Sequence, residues 1–141
     1  MVVEIKEYQS AEKITTALEN EITQTKSTLG EYLRRLDEIR SLAERSKKVR
    51  EVVSKLAGKK ATQNNPGEIV VGDLNVILDA TPFHELTAIE EAVRSQQDRL
   101  LLLQKAREGM NWADQLEGAE GLKFMVLESD GVPQRILLKI T

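Results

Sequence analysis

Apolar positions recur every seven residues through the proline-free stretch from Ser10 to Ala57. Tyr8, Thr15, Ile22, Leu29, Leu36 and Ala43 fall on one seam position, and Ala11, Leu18, Thr25, Tyr32, Ile39 and Ser46 on the other. Two small or apolar positions in seven make a narrow stripe, which suits a coiled-coil seam better than the broad buried face of a globular helix. The pattern predicts a helix over about residues 10–57, roughly 70 Å long at ~1.5 Å per residue if unbroken. Gly30 interrupts it at a cost of roughly 1 kcal/mol against alanine. One helix through Gly30 is favoured, with two shorter helices as the alternative.

Gly58 is placed to cap that helix, with Lys55, Lys59 and Lys60 favourable at its negative end. Thr62 to Gly67 reads as a loop. Glu68–Val71 and Leu74–Asp79 then flank Gly72-Asp73, and a two-residue turn with glycine first predicts a hairpin over about 68–79. Thr81 is a good N-cap and Pro82 a good first helical residue, so a second helix is expected over about 82–108. Its seam is Leu86, Ile89, Val93, Gln96, Leu100 and Leu103. At about 40 Å it is shorter than the first helix, which leaves the two arms unequal.

Asn111 to Gly121 reads as a loop or a short extra helical turn. Leu122–Leu127 and Arg135–Ile140 read as strands joined through Asp130-Gly131-Val132-Pro133, a hairpin over about 122–140. Leu122, Phe124 and Val126 share one face, where Ile136, Leu138 and Ile140 can meet them; Met125, Leu127 and Leu137 point the other way. These strands either join the central hairpin in one sheet or extend a sheet across a subunit boundary. The expected fold is α+β: a long antiparallel helical hairpin or coiled coil with a small antiparallel sheet made by the central and C-terminal hairpins. Its 141 residues fit one domain, 1–141.

Composition narrows the chemistry. Aromatic residues are only 4% of the chain, so aliphatic packing must carry a thin core. The net charge of −3 gives no global attraction to nucleic acid or anionic membrane. Arg45, Lys47, Lys48, Arg50, Lys55, Lys59 and Lys60 form a basic cluster, but no aromatic residue interleaves it to stack on bases. Asp114, Glu117, Glu120, Glu128 and Asp130 make the opposite end acidic, a block expected to keep loops solvated, with attraction of one subunit to the next as the alternative.

With no cysteine and one histidine, His84, the chain lacks the residues for a thiolate or multi-histidine zinc site. His84 beside a helix start reads as structural or solvent-facing. No glycine-rich phosphate loop or nucleophile elbow is present, and neighbours such as Asp37-Glu38 and Glu90-Glu91 point in different directions on a helix. The N-terminus does not read as a signal peptide, and Leu100–Leu103 is too short to span a bilayer. A non-enzyme without metal or cofactor is expected, cytoplasmic and not membrane-bound.

The stretch from about Leu18 to Met110 resembles the organisation of prefoldin subunits. The residues that carry this are the hairpin Ile69-Val70-Val71-Gly72-Asp73-Leu74-Asn75-Val76-Ile77-Leu78 and the seam from Leu86 to Leu103 that follows it. The resemblance implies oligomerisation through the hairpin strands and capture of unfolded chains by the helix tips. The C-terminal strand pair and the short return helix depart from that family.

A protein-binding or assembly scaffold is the expectation, self-associating as a dimer or larger through its seam and strands, or binding another protein. The candidate interaction seam is Ile22, Leu29, Tyr32, Leu36, Ile39, Leu86, Ile89, Val93, Leu100 and Leu103. A prefoldin-like chaperone and a nucleic-acid-associated protein using the basic 45–60 segment are the alternatives, nucleic acid being disfavoured by the acidic total.

Overall fold

The structure is a computed structural model that describes residues 2–57, 68–77, 80–116 and 121–140. The proposed cap at Gly58, Lys59, Lys60, the 62–67 loop, Leu78, Asp79, Glu117 and Glu120 lie outside the described residues. The fold is α+β, in the order β1 (Val3–Tyr8), α1 (Ala11–Ala57), β2 (Glu68–Val71), β3 (Leu74–Ile77), α2 (Pro82–Glu108), a 3-10 segment (Asn111–Leu116), β4 (Leu122–Ser129) and β5 (Val132–Ile140).

Helix α1 is continuous through Gly30. It starts where Ser10 Oγ accepts the backbone N–H of Lys13 at 3.3 Å, a side-chain cap for one free donor of the first turn. Tyr8 is therefore not a helix seam residue; it ends β1, opposite Phe124. That first strand is absent from the sequence expectation, and it changes the sheet.

The two hairpins do not share one sheet. β2 and β3 form a two-stranded sheet by themselves, while a second antiparallel sheet has the order β1-β4-β5. β1 pairs with β4 on the side away from β5, with Ile5 opposite Leu127 and Val3 opposite Ser129. The C-terminal strands pair with each other within the chain as their pattern suggests: Leu122 faces Ile140, Phe124 faces Leu138 and Val126 faces Ile136. A register shift at Leu127/Glu128 marks a bulge, after which Glu128 pairs with Pro133.

Both hairpin turns hold two residues. In the first, Gly72 has φ 62°, the left-handed conformation a glycine-first turn requires. In the second, Asp130 and Gly131 have φ 52° and 81°, the pair of positive angles that matches the twist of the flanking strands.

Residue contacts divide the chain into two compact units, Met1–Gly30 with Arg94–Thr141, and Glu31–Val93. In the first, one face of the three-stranded sheet is covered. Ile14, Leu18, Leu103, Met110, Ala113, Phe124, Val126 and Val132 form its core, with Trp112 and Leu116 of the 3-10 segment packed against it. In the second, Leu36, Ile39, Ile89 and Val93 are buried.

Candidate interaction surfaces and a charged cleft

All ten residues of the expected interaction seam are covered within the single chain. In the first unit Leu103 is fully buried, Ile22 packs against the core, and Leu29 and Leu100 are half-buried. In the second, Leu36, Ile39, Ile89 and Val93 are buried, and Tyr32 and Leu86 are half-buried. Ion pairs border the seam: Arg107 Nε to Glu19 Oε1 at 3.2 Å and Arg99 Nη2 to Glu21 Oε2 at 3.0 Å in the first unit, and a long 3.9 Å contact of Arg35 with Glu85 in the second. In the first unit the rising α1 numbers meet falling α2 numbers, so the helices run antiparallel there. Five of the ten are thus buried and five half-buried within the chain.

Apolar side chains face water in both units: in the first they include Val3, Ile5, Leu101, Leu102 and Ile140, and in the second they lie on α1 and the small hairpin. On α1 they include Leu42, Val49 and Val52, exposed by 46%, 62% and 56%. On the small hairpin, Ile69, Val70, Val71, Leu74 and Ile77 are all exposed, Leu74 by 71%. The register puts Ile69, Val71, Leu74 and Val76 on one face of this hairpin. No other strand borders β2 or β3 among the described residues.

A charged cleft of about 250 Å³ opens in the first unit beside Lys6, Tyr8, Glu21, Arg99, Glu128 and Pro133. Glu128 is the one buried carboxylate among the described residues, at 5% exposure. Lys6 Nζ stands 3.1 Å from its Oε2, an ion pair at an angle too poor for a good hydrogen bond. The close polar contact with Glu128, followed by its negative charge, raises the Lys6 ammonium above its ordinary value. Burial, followed by the same charge, pushes the Tyr8 phenol up. Across the cleft Arg99 bridges α2 to both other elements, its Nη2 donating to Glu21 and its Nη1 donating to the Asp130 carbonyl at 3.0 Å. Each carboxylate is thus held by its own cation, which ties sheet to helix.

His84 has a structural task at the start of α2. Its Nδ1 accepts the Thr81 backbone N–H at 3.0 Å and lies 2.9 Å from Thr81 Oγ1. Three residues into the helix, it reaches back to the capping residue much as the glutamate of a capping box does. Arg45, Lys47, Lys48, Arg50 and Lys55 of the basic cluster are exposed on α1. Among the described residues, no group of three acidic or histidine side chains could hold a metal ion, and no helix is long and apolar enough to cross a membrane.

No known protein family matches the chain, and neither the curated proteins nor the solved structures contain a match to it. The cleft is invisible in the sequence because it depends on β1, whose inward positions Lys6 and Tyr8 carry polar groups. The exposed stripe of α1 does leave a signal, the 3-4-3 spacing of Leu42, Arg45, Val49 and Val52, which overlaps the first seam and is masked by it.

Proposed function

We propose that the protein is a non-catalytic assembly module that joins copies of itself through the β2–β3 hairpin. The observation that carries this is a two-stranded sheet that no other strand borders among the described residues, with five exposed large apolar side chains. An isolated hairpin is marginal in water, and three or more strands with a covered apolar face are needed for independent stability. A second hairpin supplies both the strand and the cover. Fully burying one valine, leucine or isoleucine contributes roughly 1.5–3 kcal/mol, so a few such side chains are enough to drive association. The seam residues Leu36 and Ile39 are already covered, which moves the expected contact from the helices to the strands.

A prefoldin-like chaperone is the second reading, supported by the order helix, hairpin, returning helix. The β1-β4-β5 sheet is the element for which that resemblance gives no role.

Sedimentation equilibrium over a wide concentration range tests the proposal. The expected result is a dimer or larger, shifted toward the 15.8 kDa monomer by Val71→Lys with Leu74→Lys. Those two side chains are exposed, so the substitutions leave each chain folded. A monomer at every concentration, or an assembly indifferent to both substitutions, overturns it.

A further inference from the structure

The three-stranded sheet has two edge strands of opposite charge. β1 and β5 flank β4, and no other strand borders either of them among the described residues. Both lie open to water: Val3 and Ile5 are exposed on β1, and Leu137, Leu138 and Ile140 on β5. An edge strand presents a row of unpaired backbone donors and acceptors that another strand can meet.

β5 carries Arg135 and Lys139 and no acidic residue. β1 carries Glu4 and Glu7, while its one cation, Lys6, stands 3.1 Å from the Glu128 carboxylate. Glu4, Glu7, Arg135 and Lys139 are all exposed, and none of them forms an ion pair among the described residues. Lys123 of β4 lies diagonal to Glu7 without pairing with it, and it stands directly opposite Lys139, which adds to the basic side.

These charges select the occupant of each edge. Two β5 strands side by side would set Arg135 and Lys139 against the same cations, and two β1 strands would set Glu4 and Glu7 against the same carboxylates. Like charges across a strand pair are destabilising, and opposite ones stabilise it. Only β5 of one copy against β1 of another brings cation to carboxylate. Both strands run antiparallel to β4, so a sheet continued with its helices on one side pairs them in parallel. The rows Ile5, Leu127, Arg135 and Glu7, Met125, Leu137 lie on the face away from the core. Sliding the neighbouring copy by two residues, about 7 Å, keeps the faces aligned. Leu137 then lies beside Ile5, Lys139 beside Glu7 and Arg135 beside Val3.

We infer that the β5 edge of one copy pairs with the β1 edge of a second copy, a head-to-tail contact that extends the sheet from chain to chain. Such a contact is heterologous, so it continues past a pair into a closed ring or an open row. It is separate from the hairpin contact proposed above and does not rest on it.

The test uses the full chain carrying Val71→Lys with Leu74→Lys, which removes the hairpin contact, and reads assembly by sedimentation velocity over a wide concentration range. Species larger than a dimer are expected as concentration rises. In that background, Arg135→Glu with Lys139→Glu, and separately Glu4→Lys with Glu7→Lys, should each weaken assembly roughly tenfold, since attraction becomes repulsion. Mixed in equal amounts, the two variants should assemble again, because each edge then meets the opposite charge. That recovery also shows that both are folded. A monomer at every concentration in the hairpin-substituted chain leaves the hairpin reading standing and overturns this one. Assembly that stops at a dimer, that is lost with only one of the two reversals, or that does not return on mixing also overturns it.

Discussion

Lys6 Nζ and Glu128 Oε2 face each other at 3.1 Å across the edge of the three-stranded sheet, one side chain half in water and the other almost wholly out of it. The asymmetry sets what each substitution does. Lys6→Met leaves a buried carboxylate without its cation, a loss of about 1–3 kcal/mol for an uncompensated buried polar group. Adding Glu128→Leu removes the charge itself and should recover most of that loss. Urea unfolding of the single and double variants decides it: a double variant no more stable than Lys6→Met would show that the pair does not carry this energy.

The same cluster predicts a weakening in alkali. Lys6 is raised above its ordinary 10.5 and Tyr8 above its ordinary 10.0, so both hold their protons longer in the folded chain. Their contribution is complete below those ordinary values and is lost as pH rises through the folded ones. Lys6 is half exposed and screened, so Tyr8 carries the larger share. Tyr8→Phe should flatten the fall in unfolding free energy above about pH 10. An unchanged slope would count against the buried phenol.

Gly131 is the tightest point of the β4–β5 turn. Its φ is +81°, and a Cβ there would come within 3.0 Å of Arg99 Nη2, the group that also holds Glu21. Gly131→Ala should destabilise by about 1–2 kcal/mol from the left-handed backbone alone, and by more through the displaced guanidinium. Thermal unfolding in an Arg99→Ala background separates the two. A smaller loss there identifies the clash.

Gly30 is the opposite case. It lies inside α1, and a Cβ at this position would meet nothing within 4 Å. Gly30→Ala should therefore raise stability by about 1 kcal/mol, the difference in helix propensity. A fall in the unfolding midpoint would mean that the glycine serves a bend or a close contact.

Both helices were readable because their apolar spacing persists over many turns and their starts carry chemistry, Ser10 and Thr81-Pro82. The expected helix at about 10–57 is found as Ala11–Ala57, and that at about 82–108 as Pro82–Glu108. The four strands of the two hairpins were readable too, since Gly72 and Gly131 punctuate them, whereas β1 was not. Strand partners were not. Alternation tells which side chains share a face, but the choice between β1 and the central hairpin as neighbour of β4 depends on contacts between the two ends of the chain. In β1 itself Val3 and Ile5 face outward beside Leu127, while Lys6 and Tyr8 face the helices. An apolar side turned to water gives no inward signal.

Of the seam residues counted against the shorter second helix, Leu36 and Ile39 are buried and Ile22, Leu29 and Tyr32 half-buried, a distinction that spacing alone does not carry.

Pairing Val3 with Ser129 and Tyr8 with Phe124 also fixes an order of events. A chain made from its N-terminus completes β1 first and β4 almost last, so β1 waits unpaired while both helices are synthesised. Helix formation takes microseconds or less, whereas synthesis adds about 5–20 residues per second. The helices therefore have ample time to find each other before the sheet can close. Closing so long a loop from an unstructured chain is slow, and a helical hairpin formed beforehand shortens the distance by bringing Ala11 and Glu108 toward one end. The late sheet then acts as a latch: until β4 arrives, Phe124 and Val126 are missing from the core around Ile14 and Leu18, and an interrupted chain exposes that apolar patch.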